Sequence, residues 1–280
     1  MKKIFLIVFF LGASISLLAK DDFCELKGTH FIVYYCPEHL SFAKEVLLRA
    51  EKYYVDIAKD LGYERYSEFW LWDRRVKIYI YPNHESYLKA SNMPGWSHGM
   101  ADYVNRVIMS YFRGEGFLVS ILPHEITHLM FRDFVGFTGQ IPLWLDEGVA
   151  QWEEKPKRHM KELMRDALKR KVFLSLRDMI EMDVKSIKSD DKIYVRYTND
   201  DGTPLVLIFT GKNLINLYYL EAVSLVGFLI EKYGNKRFTN FCRCMRNGKN
   251  IEEALRSSYS EYFNTLEDLE EEWKEYYRKK

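Results

Sequence analysis

The segment His124-Glu125-Ile126-Thr127-His128 places two imidazoles four positions apart, with a carboxylate directly after the first. On an α-helix, residues i and i+4 share a face, so both rings can point at one cation while Glu125 flanks that face. The helical pattern around the segment runs from about Glu115 to Arg132 with Pro123 inside it. Proline removes a ladder hydrogen bond, so a kink or a restart of the helix is expected there. Zinc takes nitrogen and oxygen donors in a near-tetrahedral set and, where it does chemistry, keeps one position for water. Two histidines leave such a set one protein ligand short. Glu147 lies early in a second helix that Pro142 opens, with eighteen residues between it and His128 and a loop marked by Gly136 and Gly139 in that interval. That interval lets the chain leave one helix and return another beside the same ion. The expected metal ligands are therefore His124, His128 and Glu147, around one Zn2+.

The rest of the chain sets the context. Its 280 residues are 48% hydrophobic and 29% charged, a globular composition, and the net charge of +1 with no long basic stripe argues against nucleic acid as a partner. Lys2 and Lys3 precede an apolar run from Ile4 to Leu18, shorter than the ~20 residues of a bilayer span, and small residues lead to Ala19. Residues 1–19 read as a signal peptide and 20–280 as the exported chain, periplasmic or secreted; an uncleaved inner-membrane anchor is the alternative. No other stretch reads as a span. Export permits disulfides among Cys24, Cys36, Cys242 and Cys244, with the pairing open.

Periodicity predicts strands at Thr29–Tyr35 and Arg75–Tyr81, a helix over 38–61 stopped at Gly62, and a short helix capped by Asn83. Two strands are expected at Met100–Tyr103 and Val107–Phe112. Beyond the second motif helix come helices over 158–171, 174–182, 213–233, 235–246, 250–257 and 262–279, with Ser189 to Pro204 as a polar loop. The fold class is α+β: a sheet-containing part over 28–114, the metal helices over 115–155 and a helical tail over 156–280.

HEITHLMF followed by IPLWLDEGVAQW is similar to the metal-binding segments of gluzincin metallopeptidases, and here to the aminopeptidase N family, which has H-E-x-x-H, eighteen residues, then Glu within W-L-x-E-G-x-A. Taken over residues 28–278, the chain resembles the small bacterial proteins grouped as peptidase MA-like. The resemblance implies a zincin-like fold and an exported zinc metallopeptidase, endo- or exopeptidase, acting on a peptide or protein substrate. It gives Glu125 the part of general base toward the metal's water, and it favours Tyr218, four before Ala222, as oxyanion donor. Tyr219 stays open in that role, with His98 and His159 behind it. Gln151, one turn after Glu147, is expected to orient the ligand imidazoles, whereas Asp146 is expected to point elsewhere. Substrate is expected along Gly99, Asp102 and Tyr103, where Gly99-Met100-Ala101-Asp102-Tyr103 departs from the family's G-x-M-E-N, so no exopeptidase follows. Trp144 and Trp152 read as core. The competing reading is a non-catalytic exported binding or envelope-associated protein that keeps the fold and its zinc; the intact Glu125 argues against it.

If residues 1–19 are a signal peptide, intact-mass analysis of chain recovered from an exporting host should give a mature protein beginning at Lys20. Recovery with the N-terminus intact would instead mark the anchor.

Overall fold

The structure is a computed structural model that describes residues 23–63, 69–137, 141–155, 159–198 and 204–279. The expected signal peptide and the loop glycine Gly139 lie outside the described residues. Strands β1 (Cys24–Lys27) and β2 (Phe31–Tyr35) are followed by helix α1 (Leu40–Asp60), strand β3 (Val76–Tyr81), helix α2 (His84–Ser91) and strands β4 (Gly99–Asp102) and β5 (Val107–Tyr111). Phe31, Val33 and Tyr35 alternate with less buried neighbours, and Val76, Ile78 and Ile80 do the same one strand over. Both sets face one core, on which α1 lays Ala43, Val46, Ala50, Tyr54 and Ile57. The opposite sheet face carries a smaller cluster around Tyr81, Tyr87, Val107 and Met109.

The sheet order is β1-β2-β3-β5-β4. β2, β3 and β5 run parallel, and β1 and β4 are antiparallel at the two edges. α1 ends as its sequence predicts: Gly62 takes a left-handed φ of 73° and Tyr63 N–H reaches back to Ala58 O at 2.7 Å. The Asn83 side chain accepts from Ser86 N–H and starts α2. β1 was not expected. It is short and mostly exposed, so it carries no alternating pattern to read.

Helices α3 (Leu122–Val135) and α4 (Leu143–Glu153) hold the motif residues. Upstream of α3 the chain makes a π-helical turn over Phe117–Ile121, so the expected irregularity at Pro123 is a change of helix type, with Pro123 in the first turn of the restarted helix. The remaining elements are α5 (Met160–Lys169), α6 (Leu176–Glu181), strands β6 (Lys192–Thr198) and β7 (Pro204–Thr210), α7 (Gly211–Tyr233), α8 (Asn235–Arg246), α9 (Ile251–Tyr259) and α10 (Leu266–Arg278).

The hairpin β6–β7 corrects two expectations, the loop over 189–204 and the all-helical tail. Lys192 pairs with Thr210 and Thr198 with Pro204. Ile193, Val195 and Leu207 pack on the core, while Tyr194, Val206 and Ile208 face out. Exposure alternates from Lys192 to Arg196, but the outward Tyr194 is itself apolar, so the sequence carries no polar-out pattern to read. The arrangement is α+β as expected, with the sheet edge β4 lying over the motif helix α3.

α7 is long and apolar enough to cross a membrane, yet most of it is buried against α4, α5, α8 and α10, which makes it the core helix of the C-terminal part. Its contact with α4 is unusually close. A Cβ on Gly148 would lie 2.6 Å from Ala222 O, and one on Gly227 2.5 Å from the Trp152 ring. Trp144 and Trp152 are indeed core. Gly148→Ala gains about 1 kcal/mol of helix propensity. It also forces a methyl against a backbone carbonyl that cannot rotate away, at a cost of about 1–3 kcal/mol or more. The clash should win, so urea unfolding should find this variant less stable than the parent; equal or greater stability would refute the close approach.

Candidate metal centre

Pro123 has no N–H to offer the carbonyl of Val119 one turn back, and that carbonyl accepts instead from Lys155 N–H at 2.8 Å, just past the end of α4. Ser120 Oγ adds a bond to Glu154 Oε2 at 2.9 Å. The start of α3 and the end of α4 are thereby tied together, and the two motif segments are held face to face.

Between them, one nitrogen from each of His124 and His128 and one oxygen of Glu147 lie within 4.8 Å of one another. The two Nε2 atoms are 3.1 Å apart, and His124 Nε2 is 3.7 Å from Glu147 Oε2. Tetrahedral zinc with bonds of about 2.0–2.1 Å has donor–donor edges of roughly 3.3 Å, so the spacing suits such an ion. The outer nitrogens agree. His124 Nδ1 is 3.0 Å from Glu154 Oε1, and His128 Nδ1 is 2.9 Å from Asp146 Oδ1. An ionised carboxylate only accepts, so each Nδ1 carries the hydrogen and each Nε2 presents a lone pair. Two lone pairs 3.1 Å apart need a proton or a metal ion between them. The donor set therefore fits zinc.

Charge points the same way. Burial disfavours a charged His128, but the carboxylates of Asp146, Glu147 and Glu125 outweigh it and push its pKa up to about 9. Burial likewise opposes ionisation of Asp146, yet His128, Arg132 and His124 hold its pKa below the usual range. Glu125 is only 9% exposed and has no hydrogen-bond partner among the described residues. Burial raises its pKa; the two imidazoles work against that shift, and Glu147 and Asp146 add to it. A carboxylate moved toward neutrality in this way is better matched to accepting and returning a proton near pH 7.

The orienting residues differ from those expected. Asp146, not Gln151, holds His128. Adjacent residues on α4 can serve opposite nitrogens of one ring, because an imidazole presents Nδ1 and Nε2 on different sides. Gln151 is buried, and its Oε1 finds no partner among the described residues. Glu154 was missed, although its position two helical turns after Glu147 puts it on the same face and made it readable.

The expected substrate residues divide. Gly99 sits on the edge strand against the motif helix: a Cβ there would lie 2.4 Å from Ile121 and 3.1 Å from Glu125 Oε1. Asp102 is engaged in its own turn, accepting from Val104 N–H, Asn105 N–H and Asn105 Nδ2. Tyr103 stands edge-on to His128 with its ring under the Arg132 guanidinium, 4.4 Å from the ring centre. Burial raises its pKa, and Asp146 and Glu125 add to that.

Tyr218 and Tyr219 of α7 are packed edge to face. Burial raises both pKa values, that of Tyr219 to about 12, and the charge of Glu147 acts on each. His98 is bonded through Nδ1 to Tyr111 Oη at 2.9 Å, and His159 is exposed beside Glu162.

No protein-family profile matches the chain, and no curated protein matches it. Among solved structures it aligns with native leukotriene A4 hydrolase from Saccharomyces cerevisiae, at 17% identity over 90% of this chain and 38% of that one, with a TM-score of 0.48. The yeast enzyme in complex with bestatin aligns at 16% identity over 90% and 39%, with a TM-score of 0.44. A further native structure of yeast LTA4 hydrolase aligns at 15% identity over 89% and 38%, with a TM-score of 0.45. The chain thus spans under two fifths of the length of these structures.

Proposed function

We propose that this chain is an exported zinc metallopeptidase that hydrolyses peptide bonds with Glu125 as general base. The observation that carries the reading is the convergence of His124, His128 and Glu147 within 4.8 Å, each imidazole held by a carboxylate behind it. A zinc ion in that set would supply Lewis acidity, polarising a carbonyl and making water acidic enough to attack it at neutral pH.

The chain's own groups do the rest. Glu125 accepts the proton of the attacking water and returns it to the departing amine. Asp146 and Glu154 keep the imidazoles in the ligating tautomer. Tyr218, or Tyr219 beside it, stays protonated because burial raises its pKa, and so remains a donor for the developing oxyanion. The exposed edge of β4 offers backbone groups to an extended substrate, with Gly99 leaving room between strand and base.

Glu125→Gln should retain one zinc per chain by metal analysis and lose at least about 100-fold in hydrolysis of an unfolded protein substrate. Unchanged activity in that variant would refute the mechanism.

A second measurement uses His128. Its folded pKa is raised from 6.5 to about 9, so in zinc-stripped protein its contribution to stability is complete below about pH 6.5 and is lost as pH rises through about 9. Zinc should replace the proton. Melting temperatures of stripped protein should fall across that window and those of the zinc-loaded protein should not; parallel profiles would argue against a metal at this site.

A further inference from the structure

A cavity of about 210 Å³ opens beside Glu125 and is lined by Trp96, His98, Gly99, Ile121 and Glu154 among others. We propose that this cavity is a specificity subsite for a basic side chain of the substrate, with the face of Trp96 as its platform. The proposal rests on the peptidase reading for its substrate and goes beyond it in naming the side chain preferred.

Trp96 is 77% exposed, an uncommon state for the largest apolar side chain, and among the described residues it stacks on no ring and carries no cation. The backbone that carries it is nevertheless fixed by its neighbours. Ser97 is 4% exposed and anchored on both sides: its Oγ is 2.6 Å from Tyr87 Oη and donates to Gly99 O, while its carbonyl lies 2.7 Å from His84 Nε2 and its N–H reaches Pro94 O. His98 is fixed in turn, its carbonyl accepting from Ser110 Oγ at 2.7 Å and its ring held by Tyr111. With the backbone already fixed, binding has only the side-chain torsions of the indole left to order.

The polar side of the cavity is formed by Glu154, whose carboxylate accepts from Ser120 Oγ and the His124 Nδ1–H, beside Glu125 and the His124 ring. His98 adds little opposing charge, because burial first, then Arg113 and His84, lower its pKa. An indole face at the mouth and the Glu154 carboxylate within, which Glu125→Gln leaves in place, favour a lysine or arginine side chain through cation–π attraction and charge, and disfavour an acidic one.

The test uses zinc-loaded Glu125→Gln protein and a set of ten-residue peptides, acetylated and amidated, in which one position at a time is Lys, Leu or Glu. Binding is read by calorimetry, and the parent protein's cleavage of the same peptides by mass spectrometry. At one position Lys should bind about five- to tenfold more tightly than Leu, and Glu more weakly than either. Trp96→Ala should erase the preference and Trp96→Phe should keep part of it. Equal binding of Lys, Leu and Glu peptides at every position would overturn the proposal, and so would a preference that survives Trp96→Ala. A further arm compares a free N-terminus with the acetylated one in Leu-only peptides. If the free amine alone gains affinity and Trp96→Ala removes that gain, the cavity takes the terminal amine and the side-chain proposal fails. Cleavage without a Lys preference sinks this inference alone, whereas a Trp96-dependent Lys preference without cleavage sinks the peptidase reading alone.

Discussion

One backbone hydrogen bond organises the centre of this molecule. Pro123 cannot satisfy the carbonyl of Val119, and the amide of Lys155 does so instead. A carbonyl that loses its helix donor and is shielded from water costs up to a few kcal/mol, so a donor that reaches it is favoured. Here the partner stands at the end of the helix that carries Asp146 and Glu147. The same proline that interrupts the motif helix therefore docks the second helix in register. The close contact of Gly148 with Ala222 fixes the far side of that helix against α7. With α4 pinned at both surfaces, Asp146 and Glu147 on it and Glu154 just past its end meet two imidazoles on α3.

The electrostatic consequence is a crowded, negatively biased pocket. Four carboxyl groups, those of Glu125, Asp146, Glu147 and Glu154, surround two imidazoles whose Nε2 atoms converge. Protons alone compensate this poorly: one is drawn to His128 and another is favoured on Glu125. A divalent cation relieves both demands at once, which is why the donor geometry and the charge balance lead to the same conclusion.

Much of this was legible in the sequence, and what was not has identifiable causes. His124, His128 and Glu147 were readable because helical periodicity converts spacing into direction, and the helix boundaries near Asn83, Gly62 and Pro142 followed from capping chemistry. Asp146 was misjudged because an argument about helix faces treats an imidazole as a point, whereas its two nitrogens accept neighbours from different sides. Asp102 looked available in sequence, but its carboxylate is consumed by three donors within the next three residues, a local competition that side-chain type alone does not reveal. The β6–β7 hairpin was missed because its outward face is itself partly apolar, so neither a polar-out alternation nor a continuous buried run stands out. The tie between Val119 and Lys155 joins residues 36 positions apart, and no local pattern encodes it.

Gly99 couples two parts that are usually discussed separately. With no side chain, it lets the sheet edge rest almost directly on Glu125, so the strand that would align a polypeptide and the group that would move its proton share one van der Waals boundary. A side chain at this position would hold the strand off the carboxylate and let water in beside it, so the dryness of the acid is set by the one residue type that adds nothing to its backbone.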